Sequence, residues 1–403
     1  MDKGGLGTGI IGGSVATSNR LAMKISNVEV FVLKTPLDEP FAFSQGWVHQ
    51  RSATLVKVST DNGLEGWGEA FVQGLEAPEI SAAAISHALK PLVLGENPLD
   101  TSVLWHKMYN TTRDHGRKGS VMSAISAIDV ALWDIVGKFH EQSISVLLGG
   151  RQRTHLQPYA TGFYRLSGQG EASRLVEEAL RHKANGFSAM KVKLGFGLAD
   201  DIEVIRAIGE VIDTREVDLM VDTNHAYGRA DALQLGRVLD ELHIAWYEEP
   251  VAPEDIGGYA ELRSRLDTPI AGGENEHSAY GFNQLFRHDA LDIAQPDIGS
   301  CGGFTAARDI AAMAQANGVL LNPHVWGSAV AQAASVQLIA SLAVAHHSLF
   351  PREPLLEFDQ SSHPFRQHLV DAPLEMHDGR IDVQDKPGLG IEVQMDTVNQ
   401  YAS

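Results

Sequence analysis

Cysteine is almost absent: Cys301 is the one thiol in 403 residues. That excludes an intrachain disulfide and a thiolate zinc site of the usual kind, and it makes a reducing, cytoplasmic home the expectation. Basic charge is also scarce, with 32 Lys and Arg against 51 Asp and Glu and a formal net charge of −19. Such a surplus repels a phosphate backbone, and no run of Lys and Arg gathers a face to overcome it, so no nucleic-acid partner is expected. Uninterrupted apolar stretches fall short of the roughly 20 residues that a bilayer span needs, so no membrane partner is expected either. What is present is an ordinary balance of 44% hydrophobic and 21% charged residues over a long chain, enough for a large core or about two domains.

The first 22 residues are crowded with glycine (Gly4, Gly5, Gly7, Gly9, Gly12, Gly13) and lack the compact apolar stretch of a secretory signal, so they are expected to be a disordered leader. From Met23 a β pattern begins, with Val28, Val30 and Val32 alternating and then Val56 and Val58 around Lys57. Asp61-Asn62-Gly63 marks a hairpin turn. Helical periodicity follows over 80–93, 102–111 and 120–140, giving an α+β domain over 23–150. After Gly149-Gly150 short apolar strands alternate with amphipathic helices. Eight strands are expected, at 157–162, 188–195, 218–224, 244–249, 268–273, 291–296, 319–323 and 354–358. The clearest helices fall at 172–184, 200–212, 230–242, 258–266 and 306–317. Even alternation over this length predicts a TIM-type barrel across 151–372 rather than a doubly wound sheet. Residues 373–403 return to strand and turn signals and are expected to complete the N-terminal domain.

In such a barrel the chemistry sits at the carboxyl ends of the strands, and there the sequence places charge repeatedly. Strand two ends in Lys191-Val192-Lys193, whose alternation turns both ammonium groups inward and Val192 outward. Buried cations call for negative partners. Strands three, four and five supply Asp222, Glu248 and Glu274, spaced 26 residues apart. Three carboxylates at one rim repel unless a cation joins them, and an all-oxygen set suits Mg²⁺. Asp297 and His324 end strands six and seven, where a carboxylate fixes the tautomer of the imidazole and raises its basicity. Glu357 lies on strand eight. Taken singly, each is more often a surface, capping or structural residue; seven consecutive strand ends together are not. Alternation sends Glu249 away from Glu248, and Cys301 reads as structural. Asn224 and His225 are the expected substrate contacts.

Together, Lys191-Val192-Lys193, Asp222 with Asn224, Glu248-Glu249-Pro250, Gly273-Glu274-Asn275, Asp297, His324 and Glu357 resemble the mandelate racemase and muconate lactonizing enzyme branch of the enolase superfamily. The Lys-x-Lys and His-Asp combination resembles the mandelate racemase subgroup. The resemblance implies an α/β fold, a (β/α)₇β TIM-like barrel under an α+β capping domain. It implies Mg²⁺ held by Asp222, Glu248 and Glu274, Lys193 as base on one face of the substrate, and the His324 and Asp297 dyad on the other. Lys191 then assists at the substrate carboxylate and Glu357 hydrogen-bonds the enolate. With Lys191 and burial beside it, Lys193 is expected to have a depressed pKa. The implied activity is Mg²⁺-dependent removal of the proton α to a carboxylate of a small-molecule acid sugar or its lactone. The enediolate then goes on to lactone cycloisomerisation, dehydration or racemisation, in that order of expectation. A homo-oligomer is also implied. The alternative, a non-catalytic acid-sugar binding protein, does not require bases on both faces.

Overall fold

The structure is a computed structural model that describes residues 23–344, 346 and 348–403; the expected leader over 1–22 lies outside them. Three antiparallel strands open the chain, β1 (Ile25–Phe43), β2 (Gly46–Thr60) and β3 (Glu65–Ala70), in the order β1-β2-β3. The predicted hairpin forms at Asp61–Gly63, where Gly63 takes φ 89° and Thr60 N–H donates to Leu64 O at 2.9 Å. Helix α1 (Thr101–Thr112) packs against α2 (Ser120–His140), which lies on the sheet. Contact between β3 and α2 is close because Gly66 and Gly68 have no side chains. A Cβ at either would stand 2.0 or 1.9 Å from the carbonyl oxygens of Ala131 and Ala127. By length and composition α2 is apolar enough to cross a membrane, yet it is mostly buried inside the protein. The helix expected over 80–93 is interrupted by a π-helical stretch, Ala84–Leu89, just before Pro91, which has no N–H to close an α-turn.

The second unit is one parallel sheet of eight strands: β4 (Pro158–Thr161), β5 (Ala189–Lys193), β6 (Asp218–Asp222), β7 (Tyr247–Glu248), β8 (Ile270–Gly272), β9 (Ile293–Ala294), β10 (Leu320–Leu321) and β11 (Leu356–Asp359). Neighbours run β10-β9-β8-β7-β6-β5-β4-β11. Between β10 and β11 a side chain takes the place of the ladder, with Leu355 N–H donating to Asn322 Oδ1 at 2.7 Å. Inside, Tyr159, Ala189, Met220, Ala271, Ile293 and Leu320 of six strands pack with Trp246 and Leu355, the residues just before β7 and β11. The rings of Tyr159 and Trp246 meet edge to face at 5.5 Å, so the sheet has curled into a filled barrel.

All eight expected strands are present but shorter, most of them trimmed at both ends, and at three carboxyl ends the backbone turns left-handed. Asn224, Glu249 and Gly273 take φ of 41°, 44° and 119° just past β6, β7 and β8. Outside the ring lie α3 (Ala172–Ala184), α4 (Leu198–Val211), α5 (Arg229–Glu241), α6 (Ile256–Arg265), α7 (Ser278–Arg287), α8 (Gly303–Ala316) and α9 (Ala329–Ser341). Periodicity did not single out α7 or α9. The latter is buried on almost every side, so it has no polar face to contrast with an apolar one. The tail touches both units: Ile381–Asp382 pairs with His155–Leu156, and α10 (Met395–Tyr401) is followed by Ala402, bridged to Leu33 of β1.

Two buried carboxylates dock the capping domain onto the amino ends of barrel helices. Asp129 of α2 accepts from Thr305 N–H (2.9 Å) and Oγ1 (2.6 Å) in the first turn of α8, and Glu69 of β3 does the same at α9. Burial pushes both acids up to about 7, against the pull of these hydrogen bonds. Each therefore binds its proton more tightly folded than unfolded, so the stability they contribute is greatest in acid and is lost as pH rises through about 7. Asp129→Asn should remove its share of that decline. Urea unfolding between about pH 5 and about pH 7.5 should show a shallower loss of stability in the variant than in the wild type, and parallel slopes would contradict the assignment.

Candidate active site

The inward phase of β5 carries Lys191 and Lys193, while Val192 joins the outer hydrophobic core. The two lysines occupy different depths. Lys191 is fully buried, with Nζ 2.7 Å from Glu248 Oε1, 2.8 Å from Glu357 Oε1 and 5.6 Å from the centre of the Tyr159 ring. Burial alone would lower its pKa, but Glu248 and Glu357 hold it well above the usual lysine value. It is a buried cation beneath the cleft, held between two carboxylates. Lys193, one layer higher, lies 2.5 Å from Asp222 Oδ2 and donates to Asn224 Oδ1 at 3.1 Å. The expected depression of its pKa is overturned here: burial and Lys191 act downward, but Asp222 with Glu274 and Glu248 outweighs them and holds the amine above its usual value.

Asp222, Glu248 and Glu274 converge from β6 and the ends of β7 and β8, each with one carboxylate oxygen within 4.8 Å of the others. Their environments differ. Lys193 and Lys191 hold Asp222 low against burial. Glu248 is pushed up to about 7 by burial, with Asp222, Glu357 and Glu274 opposing the relief from Lys191. The second oxygen of Glu248 accepts from Gln295 Nε2 (2.6 Å) and Trp246 Nε1 (3.1 Å). Glu274 Oε2 is buried without a hydrogen bond. An all-oxygen group with a buried, unsatisfied acceptor fits a hard divalent cation. Alternation sets Glu249 apart from this triad: it follows β7 with φ 44° and lines a recess with Tyr259, Leu285 and Leu291 on the helix side. Burial, Glu274 and Asp222 then hold it well above the usual carboxylate range. It accepts from Asn275 Nδ2 at 2.8 Å.

On the other side His324 Nδ1 meets Asp297 Oδ2 at 2.8 Å, and Nε2 lies 3.3 Å from Glu274 Oε2. Burial disfavours the imidazolium, but Glu274, Glu357 and Asp297 together raise His324 to about 10. Glu357 accepts from Thr161 Oγ1 (2.7 Å), Lys191 and Val325 N–H (3.0 Å). Lys191, His324 and Lys193 keep it ionised despite burial. It thereby ties Lys191 to the segment that carries His324.

A cleft opens above these groups, with Lys193, Asn224, Glu274 and His324 as its floor. His225 is partly exposed and is tied by its N–H to Glu249 O, outside that lining. The roof, Phe43, Gln73, Tyr164 and Trp326, was not legible from the sequence, although Trp326 shares the alternating phase of His324. Trp326 has the guanidiniums of Arg51 and Arg366 at 5.3 and 5.4 Å from its ring, and both arginines converge on Asp359. Glu276 is engaged by Lys118 of the capping domain, and Cys301 is buried beside Gly303.

Residues 26–149 match the mandelate racemase/muconate lactonizing enzyme N-terminal domain, and residues 174–397 match the enolase C-terminal domain-like family. The chain is 39% identical over 379 residues to D-galactarolactone cycloisomerase of Agrobacterium fabrum, covering 94% of this chain and 99% of that protein. Among solved structures, the 3,6-anhydro-D-galactonate cycloisomerase of Zobellia galactanivorans superposes with a TM-score of 0.84 at 39% identity, covering 94% and 99% of the two chains. A racemase of Streptomyces coelicolor with bound magnesium superposes with a TM-score of 0.84 at 27% identity, covering 94% and 100%. With family models matching both the capping domain and the barrel, and a relative at 39% identity over 94% of this chain, the protein belongs to the mandelate racemase/muconate lactonizing enzyme family of the enolase superfamily.

Proposed function

We propose that this protein is a Mg²⁺-dependent enzyme that removes the proton α to a carboxylate of a sugar acid or its lactone, with lactone cycloisomerisation as the outcome ahead of dehydration and racemisation. The observation that carries this is the presence of two proton-transfer groups, Lys193 and His324, in one cleft beside Glu274. Simple binding of an acid sugar needs neither. Cycloisomerisation is placed first because the two relatives at 39% identity, each covered almost end to end, are both cycloisomerases.

A proton α to a carboxylate is weakly acidic because its removal puts a second negative charge on the same group. Asp222, Glu248 and Glu274 would hold the cation, which would supply electrophilic stabilisation of that charge. With Asp222 so engaged its hold on the Lys193 proton would weaken, and Lys191 would favour the neutral amine. Lys193 takes the α-proton and becomes positive as the substrate becomes more negative, so the net charge of the pocket is unchanged through the step. Lys191, sealed between Glu248 and Glu357, keeps a fixed positive charge below. Asp297 holds Nδ1 of His324, leaving Nε2 to deliver a proton to the intermediate or to the departing oxygen. The roof of Phe43, Tyr164 and Trp326 excludes water from the intermediate.

Lys193→Ala and His324→Ala should each lower kcat at least about a hundredfold while calorimetry still detects Mg²⁺ binding. The wild type, incubated with Mg²⁺ and a panel of acid sugars and lactones in D₂O, should place deuterium at the α-carbon; binding with no exchange across the panel would favour the non-catalytic alternative. Mg²⁺ affinity should also weaken as pH falls through about 7, where Glu248 takes up a proton that competes with the cation. Calorimetric affinities that stay flat between about pH 6 and about pH 8 would remove Glu248 from the ligand set.

A further inference from the structure

We propose that Glu69 and Phe71, from the capping domain, are positioning residues for the His324–Asp297 pair, so that one of the two proton-transfer groups is aligned by the cap while the other is aligned by the barrel. The proposal rests on the role given above to His324. Glu69 is the next-to-last residue of β3 and is buried. Its two oxygens accept from Ser328 N–H at 2.9 and 3.2 Å, from Ser328 Oγ at 2.5 Å and from Ala331 N–H at 3.1 Å. These are the unpaired donors at the start of α9, where a carboxylate is favoured by geometry and by the helix dipole. Ser328 Oγ in turn accepts from Val330 N–H at 3.1 Å, so the helix cap and the interdomain clamp share one hydroxyl.

The segment so anchored is the one that carries His324. It leaves β10 at Leu321 and is pinned again at Ser328. Gly327, at φ 94°, passes so near the clamp that a Cβ there would stand 2.8 Å from Glu69 Oε1. Two residues beyond Glu69, Phe71 holds the other half of the pair. Its N–H donates to Gly299 O at 2.9 Å, and Gly299 N–H donates to Asp297 Oδ1 at 2.7 Å. The Phe71 ring stands edge-on to the His324 imidazole at 5.7 Å and 76°. One short stretch of the cap therefore fixes the imidazole loop, the carboxylate loop and one flank of the imidazole. Lys193 takes its place from β5 and from Asp222 and Asn224, with no bond to that stretch.

The consequence is an asymmetry that loss of stability alone does not produce. Loosening Glu69 should impair the steps that use His324 and spare proton exchange at Lys193. Glu69→Gln is nearly isosteric but turns an NH₂ toward N–H donors; Ser328→Ala removes one bond and keeps the carboxylate. Asp129→Asn is the control, since it weakens the parallel clamp at α8. With full-length enzyme, Mg²⁺ and galactarate or its lactone in D₂O at pH 8, Glu69→Gln should lower kcat about tenfold or more with little change in KM. α-Deuterium exchange through Lys193 should persist, so its ratio to completed turnover rises by the same factor. Asp129→Asn should leave that ratio at the wild-type value. Parallel loss of exchange and turnover in Glu69→Gln, or an equal change in Asp129→Asn, would overturn the proposal. A second measurement needs no substrate: the low-field proton NMR signal of His324 Nδ1–H, identified by its loss in His324→Asn, should shift or broaden in Glu69→Gln and stay in place in Asp129→Asn. An unmoved signal in Glu69→Gln would overturn the proposal even if the wild type acts on neither compound, an outcome that would count against the proposed substrates alone.

Discussion

Mutual repulsion among three buried carboxylates is the constraint around which the barrel rim is organised. Asp222, Glu248 and Glu274 are brought within 4.8 Å of one another, with Glu249 close behind, in a place where water cannot screen them. Cations and hydrogen-bond donors around them compensate. Lys191 lies beneath and Lys193 beside them, Gln295 and Trp246 donate to Glu248, and His324 stands against Glu274. The compensation is incomplete, as the unbonded oxygen of Glu274 and the raised pKa of Glu248 show. A group left with surplus negative charge is prepared to receive a cation, and the same surplus holds the nearby amine and imidazole in their charged forms until one arrives.

Much of this rim was legible in the sequence because strand geometry converts position into direction. Lys191 and Lys193 share a phase, Asp222, Glu248 and Glu274 recur at equal spacing, and a barrel puts such ends in one place. What could not be read is what depends on distance. The sequence shows Lys191 two residues from Lys193 but not Asp222 at 2.5 Å, so the direction of the Lys193 shift was inverted. Alternation keeps Glu249 out of the triad, but its electrostatic closeness to Glu274 and Asp222 is again a matter of distance. Contacts between Glu69 and Ser328, or between Arg51 and Asp359, join segments some 260 and 310 residues apart, and no local pattern announces them.

The capping domain is more than a cover. Phe43 and Gln73 form part of the roof, Asp129 and Glu69 close the first turns of two barrel helices, and Trp105 Nε1 donates to Gly302 O at 2.8 Å. The roof is itself backed by charge: Arg51 from the cap and Arg366 from the barrel both lie against Trp326 and share Asp359. Substrate shape and catalytic alignment are thus set at the same interface, and a change made for one is transmitted to the other.

The seam between β10 and β11 has a different significance. Where seven strand junctions rest on backbone ladders, this one rests on the amide side chain of Asn322. Backbone ladders are indifferent to residue identity, whereas a side-chain strut is encoded by a single codon. The closure of the ring on the His324 side is therefore open to adjustment by substitution at one position, without rebuilding a strand.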